Sequence, residues 1–151
     1  MKIDRILFPT DLSDSSLAAL ESACTLAERF GAELHLLYVL EDLPTVPVMS
    51  FEHLPAVTSE QFYEESEKRA ADSLREVLHR RVPAEVQGGF VVRRGNPFLE
   101  ILLAAEEQQI DLIVMSTHGR TGIKHALLGS VTEKVVRKAP CPVLTVREAR
   151  E

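Results

Sequence analysis

Apolar runs of strand length alternate with amphipathic stretches along this chain, and few folds accommodate that order. Ile6-Leu7-Phe8 is the first run, closed by Pro9; Leu34 to Leu40 is nearly continuous; Val86 to Arg93, Leu112-Ile113-Val114-Met115 and Val143-Leu144-Thr145-Val146 follow. Between the first two, Leu17, Leu20, Cys24 and Ala27 recur at helical spacing from Ser13 to Phe30, with Gly31 as the stop signal. A second helix is expected from about Ser59 to Arg81 on the stripe Ala70, Leu74, Val77 and Leu78, with Thr58 and Gln61 in capping-box spacing. Gly88-Gly89 in the third run points to a bulge or a close backbone approach. Asn96 then reads as an N-cap with Pro97 at the first helical position, ahead of the face Phe98, Ile101, Leu102 and Ala105. Ser130-Val131-Thr132-Glu133 has the capping-box form and is expected to open a short helix with Ser130 as its cap.

The resulting order is β-α-β-α-β-α-β-α-β. Strands apolar on both faces need cover on both sides, and the intervening helices supply it. With right-handed crossovers the expected fold is α/β: one domain over residues 1–151, an open, doubly wound, five-stranded parallel sheet with helices on both faces. At 151 residues the chain is long enough to bury a sizeable core.

Composition excludes several function classes. There are 17 Lys and Arg against 23 Asp and Glu, a net charge of −6, and the basic doublets Arg80-Arg81 and Arg93-Arg94 are isolated, so no basic stripe suits nucleic acid. No apolar run approaches the ~18–20 residues of a membrane span. Lys2, Asp4 and Arg5 stand where a signal peptide carries its apolar stretch. Cys24 and Cys141 are too far apart in sequence for a close zinc pair, and two cysteines make no disulfide scaffold. A cytoplasmic location is the consistent expectation, with no membrane and no nucleic-acid partner.

In a doubly wound sheet, ligands bind beyond the carboxyl ends of the strands, where the winding reverses. Two loops are therefore of interest: Pro9-Thr10-Asp11-Leu12-Ser13 after the first strand, and Ser116-Thr117-His118-Gly119-Arg120-Thr121-Gly122 after the fourth. If the first and fourth strands are neighbours, the loops face each other across one crevice. The second leads to Gly129-Ser130 at a helix start, where unpaired N–H groups and a partial positive charge suit a phosphate. Gly119 and Gly129 permit close backbone approach, Ser130 and Thr132 carry hydroxyls, and Arg120 and Lys124 add charge. On spacing alone, a nucleotide phosphate site and a set of ordinary turn residues fit equally well.

Other chemistries fit poorly. Ser116, His118 and Asp11 resemble a hydrolytic set on paper, but Ser116 is not in a G-x-S-x-G elbow. His35, His53, His79, His118 and His125 form no H-x-x-x-H pair, so no metal site is expected. The G-x-x-x-x-G-K-[ST] phosphate loop is also missing, which argues against a motor-type ATPase.

From Asp111 to Val146 the sequence resembles the universal stress protein family. The family's nucleotide signature is glycine, two residues, glycine, nine residues, glycine, then serine or threonine. Here Thr117-His118, Gly119, the nine residues from Arg120 to Leu128, and Gly129-Ser130 match it. The likeness continues through Val131 to Val136 and Ala139 to Leu144, and Ile6 to Asp11 with Ser13 and Ser16 looks like the family's opening motif. One position departs: Ser116 stands where the signature has its first glycine. Its Cβ and hydroxyl would lower affinity if the position needs positive φ or tight ligand contact.

The resemblance implies a Rossmann-like sheet of the adenine nucleotide alpha hydrolase-like kind and an ATP site, with magnesium arriving on the phosphates. It places Pro9, Thr10 and Asp11 near base and ribose, with Val39 offering backbone groups to adenine and Met115 packing against it. His118, Gly119, Arg120, Gly129, Ser130, Val131 and Thr132 would surround the phosphates. It also implies a homodimer through antiparallel pairing of Val143, Leu144, Thr145 and Val146. The expected function is an ATP-binding dimeric module in stress response or signalling, with at most slow hydrolysis. A nucleotide-independent dimeric interaction module is the alternative, and an ATP-using metabolic enzyme ranks last. Residues 41–58, with three prolines and the apolar Val46, Val48, Met49, Phe51 and Leu54, read as a long loop on the ligand side, either a lid, a protein contact or a variable surface excursion.

Overall fold

The computed structural model describes residues 2–42, 59–117 and 128–147. Strand β1 (Arg5–Pro9) leads to helices α1 (Asp14–Ala18) and α2 (Leu20–Phe30), then β2 (Glu33–Leu40) and α3 (Ser59–Arg81). Strand β3 (Gly88–Arg94), α4 (Pro97–Glu107), β4 (Leu112–Ser116), α5 (Ser130–Lys138) and β5 (Val143–Val146) complete the order. The five strands form one parallel sheet in the order β3-β2-β1-β4-β5. The winding reverses between β1 and β4, which are hydrogen-bonded neighbours, so the loop after β1 and the end of β4 flank one crevice.

Alternate residues of the central strands feed two cores. Ile6 and Phe8 of β1, with Leu34 and Leu36 of β2, pack against Leu20, Ala23, Cys24 and Ala27 of α2 and Leu74 of α3. Leu7 and Leu37 point the other way, with Ile101, Ala104 and Ala105 of α4 and Val135 of α5. Burial of both sheet faces is why these strands read as unbroken apolar runs.

The expected first helix is divided. Ala19 N–H donates to the Ser16 carbonyl at 3.1 Å, an i to i−3 bond that tightens the chain for one residue and separates α1 from α2. Gly31 closes α2 in the left-handed region at φ 64°. Of the two readings of Gly88-Gly89, close approach is correct: β3 keeps an unbroken register with β2, and a Cβ on Gly88 would meet the Leu34 carbonyl oxygen at 2.1 Å. The third strand accordingly starts at Gly88 rather than Val86, whose N–H turns back to the Pro83 carbonyl. Asn96 caps α4 as expected, its side chain accepting from Leu99 N–H at 3.3 Å, with Pro97 at the first turn. Thr58 and the Val46 to Leu54 stretch lie outside the described residues.

Candidate functional site

A crevice of about 580 Å³ opens at the carboxyl edge of the sheet over the β1–β4 junction. That volume is within the range of small-molecule sites, about 300–1,000 Å³. Pro9, Thr10 and Asp11 line it from the β1 loop, Val39 from β2, Met115 from the end of β4, and Gly129, Ser130, Val131 and Thr132 from the start of α5. The structure thus brings these sequence-selected residues together. His118, Gly119 and Arg120 lie outside the described residues.

The β1 loop is held by its own polar groups. Thr10 N–H continues the sheet to the Leu37 carbonyl at 2.8 Å. The buried Thr10 hydroxyl oxygen accepts from Leu12 N–H at 3.0 Å and from the Ser16 hydroxyl at 2.9 Å. Asp11 accepts from Ser13 N–H at 3.0 Å and from the Ser13 hydroxyl at 2.5 Å, an Asx-turn that leads into Ser13 as the α1 cap. Leu12 between them takes φ 63°, a left-handed conformation that costs a non-glycine residue about 1–2 kcal/mol. Its N–H bond to Thr10 and its packing against the core offset that cost. The loop is therefore over-determined, and Asp11 stands at the crevice wall in a defined position.

The opposite wall differs from the sequence expectation at one residue. Gly129, not Ser130, is the N-cap of α5: its backbone is extended at φ −66° and ψ 155°, and its carbonyl accepts from Glu133 N–H at 2.9 Å. Ser130 is the first helical residue, and Gly129, having no side chain, supplies no side-chain cap. The capping box is not formed, and the first turn of α5, whose N–H groups lack intrahelical partners, lines the crevice. Thr132 is buried, and its hydroxyl donates to the Ser116 carbonyl at 3.0 Å, tying α5 to β4. Its hydroxyl is thereby committed to β4. Gly129 N–H bonds the Thr117 carbonyl at 2.7 Å, and Thr117 N–H bonds Val146 of β5 at 2.9 Å.

Ser116 is the last residue of β4, buried, and paired in register with Val146. Among the described residues the non-glycine left-handed positions are Leu12 and Gln109, so Ser116 needs no glycine conformation. Half of the concern raised by this substitution is thereby removed; what remains is the bulk of its side chain at the crevice floor.

Several lining residues were not selected from the sequence. Asn96, Pro97 and Phe98 bring the start of α4 to the crevice, Ser16 and Tyr38 extend its floor, and Glu41 and Lys134 add one charge of each sign. The Asn-Pro helix start was the available signal: any helix that follows a strand begins at this edge of the sheet. Leu37, Val39, Phe98, Ile101 and Met115 give the crevice an apolar side facing the polar α5 terminus. Among the described residues no group of three or more His, Cys, Asp or Glu side chains is placed to hold a metal ion.

An apolar slot ending on a helix N-terminus at a sheet switch point suits a nucleotide, but many α/β proteins share that plan. The family comparison is more specific: residues 2–147 match the model of the Universal stress protein family. The chain belongs to the universal stress protein family. The "Universal stress protein MJ0531" of Methanocaldococcus jannaschii is 37% identical over 148 residues, covering 97% of this chain and 84% of that protein. Among solved structures, the universal stress protein UspA from Lactobacillus plantarum superposes with a TM-score of 0.80 at 29% identity, over 97% of this chain and 99% of that one. The universal stress protein from Archaeoglobus fulgidus in complex with dAMP has a TM-score of 0.59 at 20% identity, over 96% and 98%, a likeness of fold alone. The sheet described above is the Rossmann-like fold of these universal stress proteins. Among the described residues no helix is long and apolar enough to cross a membrane.

Proposed function

We propose that this universal stress protein is an ATP-binding module of stress response or signalling, one domain over residues 1–151, dimeric and cytoplasmic, with at most slow ATP hydrolysis. The observation that carries the reading is the start of α5, with glycine as its cap, lining a crevice whose other side is apolar. The adenine ring fits against Val39 and Met115, with β2 backbone groups at its edge. Asp11, held by its Asx-turn, is an acceptor for a ribose hydroxyl. Phosphates meet the N–H groups of Ser130, Val131 and Thr132 at the positive end of α5, with Lys134 lining the same crevice. His118, Gly119 and Arg120 complete the phosphate surroundings by their place in the signature. Magnesium would arrive on the phosphates and balance their charge. A fold of this kind does hold an adenine nucleotide in the Archaeoglobus fulgidus protein; the reading for this chain rests on its own crevice.

Dimerisation is proposed through β5. It is an edge strand, paired to β4, with Leu144 40% exposed, and a second copy pairing antiparallel would cover that edge. The same exposed edge, together with Ser116 at the crevice floor, supports the second reading, a dimeric module that binds no nucleotide.

Calorimetric titration of nucleotide-free protein with ATP, with and without magnesium, beside a Ser116→Gly variant, separates the two. Micromolar binding by the wild type is expected. Binding by Ser116→Gly alone would assign the protein to the second reading, and no binding by either would overturn the nucleotide proposal altogether.

A further inference from the structure

The amino-terminal half of α3 is attached to the sheet at very few points. From Glu60 to Arg69, Tyr63 is the one buried side chain; the next anchors are Ala70 and Leu74. The same stretch carries Glu60, Glu64, Glu65 and Glu67. Over the Tyr63 ring lies Arg94, the last residue of β3, whose guanidinium carbon is 3.3 Å from the centre of the ring. Arg94 is also bonded to Asp42, just beyond β2, with Nε to Oδ1 at 3.0 Å, and lies 3.7 Å from the Glu60 carboxylate. One side chain thus joins three elements at the carboxyl edge of the sheet. Its backbone neighbour reinforces the join: Gly95 N–H donates to the Leu40 carbonyl at 3.0 Å. Leu40 and Glu41 are crevice wall.

We infer that Arg94 is a positioning residue for the nucleotide crevice, holding the Leu40–Asp42 wall against the first turns of α3 by its bond to Asp42 and its stack on Tyr63. The affinity part of this inference rests on the nucleotide reading above; the positioning part does not. The chemistry requires arginine. A planar guanidinium covers a ring with its face while its edge donates to carboxylates, and lysine offers a point charge without the plane. Without the guanidinium, Asp42 and Glu60 lose the partner they share, and Tyr63 loses the cation over its ring. The wall then keeps its β2–β3 ladder bonds but not its tie to α3. Arg93, the residue before, faces the other side of the sheet and bonds Glu100 and Glu107 of α4, so the two arginines moor different helices to one strand end.

Amide hydrogen exchange on nucleotide-free protein tests the positioning, comparing wild type with Arg94→Ala, Arg94→Lys and Tyr63→Leu. Arg94→Ala should speed exchange at residues 40–42 and 60–66 by roughly three- to tenfold, the weight of one exposed cation–π contact and its ion pairs. Amides of β1 and β4 should be unchanged, which a general loss of stability would not allow. Arg94→Lys should give an intermediate effect, and Tyr63→Leu should reproduce the change over 60–66. If Arg94→Ala does not fold, the other two variants decide. Unchanged exchange at residues 40–42 in every folded arginine variant would overturn the inference. In parallel, Arg94→Lys should weaken ATP binding severalfold and Arg94→Ala more. Absence of ATP binding by the wild type would sink the nucleotide reading and leave the exchange result to decide the positioning role. ATP affinity unaltered in both variants would confine Arg94 to a structural tie and overturn its role in the crevice.

Discussion

At the scale of single residues, Cys24 shows how burial becomes a pH dependence. Its side chain packs in the core under α2, and its thiol donates to the Arg81 carbonyl at 3.9 Å. Burial, followed by the nearby Glu28 carboxylate, pushes the thiol up from an ordinary 9.0 to about 11. In the unfolded chain the thiol loses its proton near the ordinary value, whereas the native state retains it. Between these values the folded protein binds more protons than the unfolded one, so stability falls as pH rises from about 9 to about 11. Below pH 9 the contribution is complete. Urea midpoints across that range should drop more steeply for wild type than for Cys24→Ala; parallel curves would refute the assignment. The same residue scale explains Gly88. Its pairing with Leu34 leaves no room for a Cβ, a contact that the doubled glycine in the sequence signalled but could not locate on one partner.

At the scale of elements, the edges of the sheet carry the consequences. The two edge strands are built differently: β3 has seven residues and carries the paired arginines at its end, while β5 is four residues long and leaves Leu144 at the surface. If β5 is the dimer seam, a charge on it should break the pairing, because an edge lysine must be desolvated when a second strand approaches. Leu144→Lys should therefore shift sedimentation from dimer to monomer while leaving the circular dichroism of the fold intact. A wild-type dimer that persists in this variant would move the seam elsewhere. Element boundaries also show where local rules stopped. The spacing of Ala70, Leu74, Val77 and Leu78 located α3 well, since a long amphipathic helix repeats its signal over several turns. The start of α5 was misassigned by one residue, because Gly129 and Ser130 are both acceptable caps and a carbonyl partner several residues away decides between them.

At the scale of the whole molecule, the crevice couples separate segments. Its walls come from the β1 loop, the end of β2, the starts of α4 and α5, and the end of β4, so a ligand that fills it stabilises all of them together. ATP at a hundred times its dissociation constant should add about 2.7 kcal/mol by mass action. For a chain of this size that raises the midpoint of thermal unfolding by roughly 5–10 °C. A thermal scan with and without ATP measures it directly. A shift in Ser116→Gly with none in the wild type would mean that the serine side chain fills space the ligand needs.

The linear order of residues determined the α/β class, the number of strands and the β1 loop and α5 start that line the crevice. Hydrophobic period and helix-start chemistry are local, and a strand buried on both faces has a composition that shows in a few residues. It also carried the family signature, since glycines and hydroxyls at set intervals are read without coordinates. The tertiary structure alone decided which strands are neighbours, that Thr132 turns its hydroxyl to Ser116 rather than to a ligand, and that Arg94 meets both Asp42 and Tyr63. These are contacts between residues far apart in sequence or on different elements. Their partners are selected by how the helices pack on the sheet, a property that no window along the chain contains.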